Sequence, residues 1–216
     1  LQGEITLLYK KGDPRAITNY RPITLLNVDY KLLSKILVER MKLVVNSIIS
    51  DAQNGFVPKR VITNNTHLLN LIQAFLDETD EEGLFVFLDL EKAFDRVSWS
   101  FMRRAMSELG FGHEMCRWVG TLYDSDNPPR RRLTMNGHTG EWFNINCGIA
   151  QGCPLSPILF LFVAEALARI VEDDKDWEGI QVGDHEHLIS QFADDTVLML
   201  RNFSGLARMW KTIEIY

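Results

Sequence analysis

The residues of this sequence best suited to catalysis or metal binding are three aspartates that lie in or beside apolar runs. Asp89 lies within the apolar run 84–90, and the adjacent pair Asp194 and Asp195 precedes the apolar run 197–200. An ionised carboxylate is costly to desolvate unless it is paired or bound to a metal, so Asp89 indicates a partner cation or a strand that ends at a cleft. Carboxylate oxygens suit Mg²⁺, and enzymes of phosphoryl and nucleotidyl transfer often hold two such ions about 3.5–4 Å apart.

Each carboxylate group also has an ordinary structural interpretation. Asp89 could cap the turn after its strand, with Lys92 and Arg96 close enough in sequence to neutralise it. The pair Asp194 and Asp195 could be the exposed tip of a hairpin, because neighbouring strand residues point to opposite faces and only a tight turn lets both acids approach one place. Both interpretations stay open on the residues alone.

A third feature is the segment GIAQGCPLSP, residues 148–157, directly before a strongly apolar stretch. Its glycines permit a ligand to approach the backbone closely, and the amide of Gln151 can hydrogen-bond a sugar or a base. In isolation the segment predicts only the entry to a helix.

The elements that must position these residues follow from hydrophobic periodicity and turn residues. Apolar residues at three- and four-residue steps predict helices over 29–48, with Asp29 as N-cap, and over 64–79. A buried strand is predicted over 84–90, and a hairpin around Asn136-Gly137 with a turn longer than two residues. Further predictions are a strand over 5–9, helices over 98–110 (capped by Ser98 or Ser100), 113–123 and 154–171, a strand over 181–182, paired strands around 193–195 and a helix from 203. Interleaved strands and helices without a regular β-α-β repeat favour the α+β class.

Composition and charge narrow the class of protein. The 216 residues are 46% hydrophobic and 24% charged, typical of a folded protein, and no apolar run approaches the length of a membrane span. Three cysteines without a CxxC pair argue against a disulfide framework or zinc site and fit a reducing, intracellular compartment. The net charge of −6 alone argues against a nucleic-acid binder. However, residues 1–60 hold ten Lys and Arg against five Asp and Glu, whereas residues 61–216 hold thirteen against twenty-four.

Five motifs in a fixed order resemble those of reverse transcriptases, specifically the non-LTR, LINE-type retrotransposon class. They are NYRPITLLN at 19–27, QNGFVPKR at 53–60, LDLEKAFDRV at 88–97, GIAQGCPLSP at 148–157 and FADD at 192–195. The resemblance covers essentially the whole chain. It implies a right-hand polymerase with a fingers-like region over 1–83 and a palm over 84–216, in which helices pack on an antiparallel sheet and a fingers-like hairpin is inserted. The thumb that normally follows is missing, so the isolated fragment is expected to bind nucleic acid poorly.

The resemblance also assigns roles to residues. Asp89 and Asp194 would be the principal ligands of two Mg²⁺ ions, for which Mn²⁺ could substitute. Asp195 would support them, and Leu90 would contribute its backbone carbonyl oxygen. Residues expected to bind the incoming dNTP are Lys10, Lys11, Arg21, Lys92, Ala93, Phe94, Gln151 and Gly152. The ring of Phe94 would exclude a ribose 2′-hydroxyl, the N–H groups of Lys92 and Ala93 would meet the triphosphate, and Arg60 would contact the template.

The implied activity is RNA-directed DNA polymerisation, in which a DNA primer 3′-hydroxyl attacks the α-phosphorus of a dNTP on an RNA template. The resemblance places this activity in the nucleus, after a cytoplasmic ribonucleoprotein stage, and without a membrane partner. Three alternatives stay open: another reverse-transcriptase lineage such as a group II intron protein or telomerase, a decayed copy without activity, and an RNA-binding remnant that would not require the three aspartates. The oligomeric state is not indicated.

Overall fold

The computed structural model describes residues 1–216, except for the side chain of Ile215. The chain divides into two compact units. Unit 1 comprises Leu1–Met41 and Lys92–Phe160, and unit 2 comprises Lys42–Glu91 and Leu161–Tyr216. The predicted boundary between residues 83 and 84 is therefore not one of the points at which the chain passes from one unit to the other.

The order of elements along the chain is that of an α+β protein. The strands are β1 (Gln2–Tyr9), β2 (Tyr20–Leu26), β3 (Leu84–Leu88), β4 (Arg130–Met135), β5 (His138–Thr139), β6 (Phe143–Asn144), β7 (Ile180–Val182), β8 (His185–His187), β9 (Ile189–Phe192) and β10 (Asp195–Leu200). The helices are α1 (Val28–Ile48), α2 (Ile62–Thr79), α3 (Trp99–Glu108), α4 (His113–Leu122), α5 (Ser156–Glu172) and α6 (Leu206–Ile215). No helix among the described residues is both long enough and apolar enough to cross a membrane.

Unit 1 contains a five-stranded sheet in the order β2-β1-β4-β5, with β6 also paired to β4. Strand β1 runs antiparallel to β2 and parallel to β4. The β4–β5 connection is a two-residue turn, because Met135 pairs with His138 and both Asn136 and Gly137 have positive φ. The prediction of a longer turn was wrong, since two left-handed residues suffice for a type I′ turn that matches the twist of the strands.

Unit 2 contains the antiparallel sheet β3-β10-β9, covered on both faces. Successive residues of β10 point to opposite faces of the sheet. Leu198 and Leu200 pack into a core with α5 and α6, whereas Met199 packs into a core with α2 and β7. A second sheet in this unit pairs β7 with β8. The sheet is therefore packed on both faces, and its polar groups lie at the strand ends.

Two local predictions need correction. Helix α1 begins at Val28, so Asp29 lies in its first turn and is not the N-cap. Strand β3 ends at Leu88 and none of its residues is fully buried; Phe87 is 71% exposed. Ser98 does cap α3, since its hydroxyl accepts a hydrogen bond from the N–H of Phe101.

Candidate active site

In unit 2, the candidate residues begin with the tight turn between β9 and β10. Asp195 pairs with Phe192, which leaves Ala193 and Asp194 as the two residues of the turn. Ala193 has a φ of 58°, a left-handed conformation that side chains other than glycine rarely adopt. The predicted hairpin tip with adjacent carboxylates is therefore present, and it is held in an unfavourable backbone conformation.

Strand β3 brings Asp89 to the same end of this sheet. Leu88, the last residue of β3, pairs with Thr196 of β10, and Asp89 follows Leu88 just as Asp195 precedes Thr196. Asp89 is exposed, so the expectation of a desolvated carboxylate inside a buried strand was wrong. The strand stops two residues earlier than predicted, at Leu88, and the acid lies at the strand end, the other arrangement that the sequence allowed.

The three carboxylates are available to a ligand. Asp89 and Asp195 are exposed and Asp194 is half-buried. Within the described part of the chain, no side chain or backbone N–H pairs with any of the three carboxylates. No group of three or more His, Cys, Asp or Glu side chains in that part lies close enough to hold a metal ion. The fold thus places the three aspartates at one end of the sheet, but their side chains do not form a metal-binding group of three.

A buried glutamine fixes the backbone of the Asp-Asp turn. The side chain of Gln53 accepts a hydrogen bond from the N–H of Ala193 at 2.8 Å, and its amide donates to the carbonyl oxygen of Ala193 at 3.2 Å. The same Oε1 accepts from the N–H of Gly55 at 2.8 Å, and Gln53 has no exposed surface. Gln53 therefore satisfies both polar groups of the residue that precedes Asp194.

The segment around Gln53 is itself tightly held. A Cβ on Gly55 would lie 2.2 Å from the backbone nitrogen of Ala193, so only glycine allows this approach. Arg60 donates hydrogen bonds to the carbonyl oxygens of Ile49, Ser50 and Gln53, and its side chain is 15% exposed. The structure thus gives Arg60 a role in fixing its own loop. The contact of Arg60 with the template stays a prediction.

Unit 1 holds candidate residues of its own, in the Gln151 loop. The N–H of Gly148 donates to Val97 and that of Ile149 to Phe94, both at 2.8 Å. The N–H of Thr24 in β2 donates to the carbonyl oxygen of Gln151 at 2.7 Å. The loop is therefore fastened both to the 93–97 segment and to the sheet.

Close packing and one side-chain bond define the loop further. The Gln151 amide donates to Asp95 Oδ1 at 3.1 Å. A Cβ on Gly148 would lie 2.5 Å from the carbonyl oxygen of Asp95, and one on Gly152 would lie 2.7 Å from that of Thr24. Both glycines also have positive φ, which explains their presence in the motif.

The 93–97 segment begins with a short turn of 3-10 helix. Lys92 is exposed at its N-cap with a φ of 54°, and Ala93 starts the turn. Phe94 is half-buried, and its ring stacks on that of Phe160 with centroids 4.7 Å apart. Unit 1 therefore holds the predicted residues Lys92 to Phe94 and Gln151 in one hydrogen-bonded assembly.

The remaining basic residues lie at one end of the β1–β2 hairpin. Lys10 and Lys11 follow β1, the N–H of Lys10 donates to the carbonyl oxygen of Asn19, and Arg21 pairs with Leu8. All three cationic side chains are exposed. The hairpin therefore gathers the three predicted triphosphate contacts at one end of the sheet.

Sequence reasoning missed Gln53 and Gly55 as parts of the site, although the motif that contains them was recognised. The signal was a glutamine and a glycine in a short segment between two apolar helices. Their partner, Ala193, lies 140 residues from Gln53, so local periodicity carried no information about the contact.

Comparison with known proteins places this chain in a family. Residues 9–215 match the family described as reverse transcriptase (RNA-dependent DNA polymerase), and the chain belongs to that family. It is 31% identical over 212 residues to the Transposon TX1 uncharacterized 149 kDa protein of Xenopus laevis, covering 98% of this chain and 16% of that protein. It is 32% identical over 198 residues to a Pol polyprotein from retrotransposable element R2 of Popillia japonica, covering 91% of this chain and 27% of that protein. The RNA-directed DNA polymerase from mobile element jockey of Drosophila melanogaster is 24% identical, and the match covers 95% of this chain and 22% of that protein.

Solved structures confirm the predicted fold. Telomerase from Candida tropicalis, in complex with a fragment of telomeric RNA, matches with a TM-score of 0.69 at 12% identity, covering 98% of this chain and 38% of that one. Telomerase from Candida albicans matches with a TM-score of 0.66 at 12% identity and covers 99% of this chain and 40% of that one. The α+β, reverse-transcriptase fold is therefore shown, while the relatives in sequence come from mobile elements of the non-LTR type. The chain spans less than a third of the length of the sequence relatives described above.

Proposed function

We propose that this chain forms the nucleotide-adding part of an RNA-directed DNA polymerase from a non-LTR retrotransposon. The observation that carries the proposal is the position of Asp89 and Asp194 at one end of the sheet β3-β10-β9, with carboxylates that no described group engages. Membership of the reverse transcriptase family and similarity to mobile-element proteins support it. The likeness to telomerase is one of fold, since the identity is only 12%.

Asp89 and Asp194 would hold the divalent ions, with Asp195 in support and the carbonyl oxygen of Leu90 as a further ligand. The fit rests on donor chemistry, because unpaired, accessible carboxylate oxygens are the hard ligands that Mg²⁺ and Mn²⁺ prefer. Two bound ions would supply Lewis acidity to the attacking hydroxyl and to the leaving pyrophosphate. Gln53 would keep Asp194 in place by satisfying the backbone of Ala193.

Unit 1 would supply the contacts to the incoming dNTP. The first N–H groups of the 3-10 turn, at Lys92 and Ala93, have the character of a helix start and suit a phosphate oxygen. Lys10, Lys11 and Arg21 would neutralise the triphosphate. The ring of Phe94 would occupy the volume that a ribose 2′-hydroxyl needs, and Gln151 and Gly152 would lie against the nucleotide.

The partners of this reaction would be an RNA template, a DNA primer and dNTPs. The fold shared with RNA-bound telomerase supports an RNA template. Insertion of an element into chromosomal DNA would place the activity in the nucleus, after assembly with RNA in the cytoplasm.

Primer extension tests this proposal in the full natural protein that carries residues 1–216. With an RNA template, dNTPs and Mg²⁺, we expect primer extension that stops on addition of a chelator. Asp89→Asn should abolish extension without loss of template binding, whereas Asp184→Asn, an exposed carboxylate in the β7–β8 turn, should extend normally. Template binding without extension by the wild-type protein would instead identify an RNA-binding remnant or a decayed copy.

A further inference from the structure

Helix α5 carries a buried carboxylate that the proposed chemistry does not use. Glu165 is 1% exposed and has apolar neighbours in the sequence of α5. Its Oε1 accepts a hydrogen bond from Nε of Arg169, one turn further along the helix, at 3.0 Å. Its Oε2 accepts from the backbone N–H of Ser50, 115 residues away, also at 3.0 Å. Since a buried carboxylate is costly unless its oxygens are engaged, Glu165 holds two distant parts of the chain together.

The part of the chain that Glu165 holds is the exit from helix α1. This helix ends at Ile48, and the last carbonyl groups of any helix have no partner within it. Arg169 supplies one partner, since its Nη2 donates to the carbonyl oxygen of Ile48 at 3.0 Å. Glu165 and Arg169 therefore fix an acceptor at Ile48 and a donor at Ser50, on both sides of the point where the chain leaves α1.

The residues that follow Ser50 bond directly to β9 and to the turn after it. The N–H of Gln191 in β9 donates to the carbonyl oxygen of Ala52 at 2.7 Å, and the N–H of Asn54 donates to the carbonyl oxygen of Gln191 at 2.9 Å. Gln53, between them, satisfies both backbone polar groups of Ala193. Three successive residues of the segment are therefore joined to the strand and turn that present the Asp-Asp pair.

The contact between the segment and the turn is too close to absorb a shift of either. A Cβ on Gly55 would lie 2.2 Å from the backbone nitrogen of Ala193, so the two backbones touch. Only two residues separate Ser50 from Gln53. Because closely packed interiors transmit displacement, a change in the position of Ser50 reaches Ala193, whose left-handed φ of 58° already depends on its surroundings.

We infer that Glu165 is a positioning residue for the carboxylates of the β9–β10 turn. Buried in α5, it touches neither substrate nor metal ion and acts through Ser50 and the segment 50–55 on Ala193, and so on Asp194. The inference rests on the proposed function, because the position of Asp194 matters for nucleotide addition only if Asp194 takes part in it. All of these residues belong to unit 2, whereas the contacts proposed for the dNTP lie in unit 1.

Amide hydrogen exchange, followed by NMR in the full natural protein with EDTA present, tests the positioning role without any measurement of activity. The amide of glutamine has one acceptor oxygen, so in Glu165→Gln either Arg169 or Ser50 loses its acceptor. We expect exchange at the N–H groups of Ala193 and Gly55 to become at least about tenfold faster, the scale for loss of one hydrogen bond to a charged group.

Two further variants separate positioning from a general loss of stability. Ile72→Ala removes volume from the core of α2 and β7, to which the segment 50–55 does not belong, and should leave exchange at Ala193 and Gly55 at the wild-type rate. Glu165→Leu combined with Arg169→Met replaces both charges by apolar side chains, a change that often preserves stability. It should still speed exchange, because the N–H of Ser50 lacks its acceptor.

Steady-state primer extension gives the second readout. In Glu165→Gln we expect kcat to fall at least about tenfold and the Mg²⁺ concentration for half-maximal rate to rise, while KM for dNTP changes little. Ile72→Ala should match the wild type in all three quantities. The double variant keeps the test open should Glu165→Gln fail to fold, judged by circular dichroism.

Two results would overturn the positioning role. One is wild-type exchange at Ala193 and Gly55 in a folded variant that lacks Glu165, and the other is faster exchange there with kcat and Mg²⁺ dependence unchanged. A wild-type protein that exchanges as expected but does not extend a primer would refute the proposed function alone. Exchange in the variants would then still decide whether Glu165 positions the turn.

Discussion

Gln53 and Ala193, which lie 140 residues apart, are joined by two hydrogen bonds between the side chain of one and the backbone of the other. Ala193 has a left-handed φ of 58°, and the residue that follows it is Asp194. A strained backbone of this kind persists only when its surroundings hold it. The position of Asp194 therefore depends on a side chain from the distant segment 49–60.

Removal of the Gln53 amide should loosen this turn. In Gln53→Ala the buried N–H groups of Ala193 and Gly55 lose their acceptor, and we expect the free energy of unfolding to fall by about 2 kcal/mol or more. In primer extension, kcat should fall while KM for dNTP changes little, because Asp194 and not the nucleotide contacts is displaced. Gln73→Ala, an exposed glutamine of α2, is the control. A normal kcat in a destabilised Gln53→Ala protein would show that the hydrogen bonds between Gln53 and Ala193 contribute to stability only.

Substitutions at two glycines with similar φ distinguish the cost of backbone strain from the cost of close packing. Gly148 lies in the Gln151 loop and Gly137 in the β4–β5 turn. Gly148 and Gly137 have φ of 82° and 79°, but a Cβ would meet Asp95 O at 2.5 Å only in the first case. Gly137→Ala should cost about 1–2 kcal/mol of stability, the strain of a left-handed residue. Gly148→Ala should cost about 1–3 kcal/mol more and raise KM for dNTP, because the loop must move. Equal unfolding free energies in urea for the two variants would contradict the packing argument.

The ring of Phe94 should select the sugar of the nucleotide. Phe94→Ala removes a ring that stacks on Phe160, and we expect the preference for dNTP over rNTP, measured as the ratio of kcat/KM values, to fall at least about tenfold. Phe203→Ala, at a 71% exposed phenylalanine, should leave the ratio unchanged. An unchanged ratio in Phe94→Ala would assign Phe94 to the core alone.

An ion pair in unit 2 should make stability depend on pH. Asp174 accepts hydrogen bonds from Arg208 at 2.7 and 2.6 Å, and these bonds hold the pKa of Asp174 below its usual 3.8. A lowered pKa in the folded state gives stability that is present above the unfolded pKa and is lost as pH falls through the folded pKa. Urea unfolding should therefore show the wild type more stable than Arg208→Met at pH 7, with the difference shrinking below about pH 4.

Lys211→Met provides the matched control for this pH dependence, because Lys211 is an exposed residue of the same helix, α6. Its stability should follow that of the wild type across the pH range. A difference between wild type and Arg208→Met that stays constant down to pH 3 would show that the pair does not depend on the charge of Asp174.

Local patterns in the sequence predicted the local parts of the fold. The 3.6-residue period located α2 to within two residues, and the Asn136-Gly137 pair located the β4–β5 turn. No element was predicted at Tyr20–Leu26, which is β2, since its proline and polar residues obscure the strand pattern. The parallel pairing of β1 with β4, distant in sequence, was likewise beyond any local window.

The site was predictable to the extent that the motifs marked its residues. Asp89 and Asp194 were identified, and the sheet register brings them to one end. The hydrogen bonds of Gln53 to Ala193 and of Arg60 to its own loop were not predicted. Both depend on which backbone carbonyl or N–H lies opposite a side chain. Motifs specify residue types, whereas such contacts depend on tertiary packing.

The most direct measurement is single-turnover primer extension by the full natural protein and its Asp194→Asn variant, on an RNA template with dNTPs and Mg²⁺. We expect Asp194→Asn to fold, to bind template and to lose at least about 100-fold in the rate of nucleotide addition, the scale typical for loss of one key electrostatic group. Asp184→Asn should extend the primer at the wild-type rate. Extension by Asp194→Asn at the wild-type rate would contradict the assignment of the β9–β10 turn as the catalytic centre.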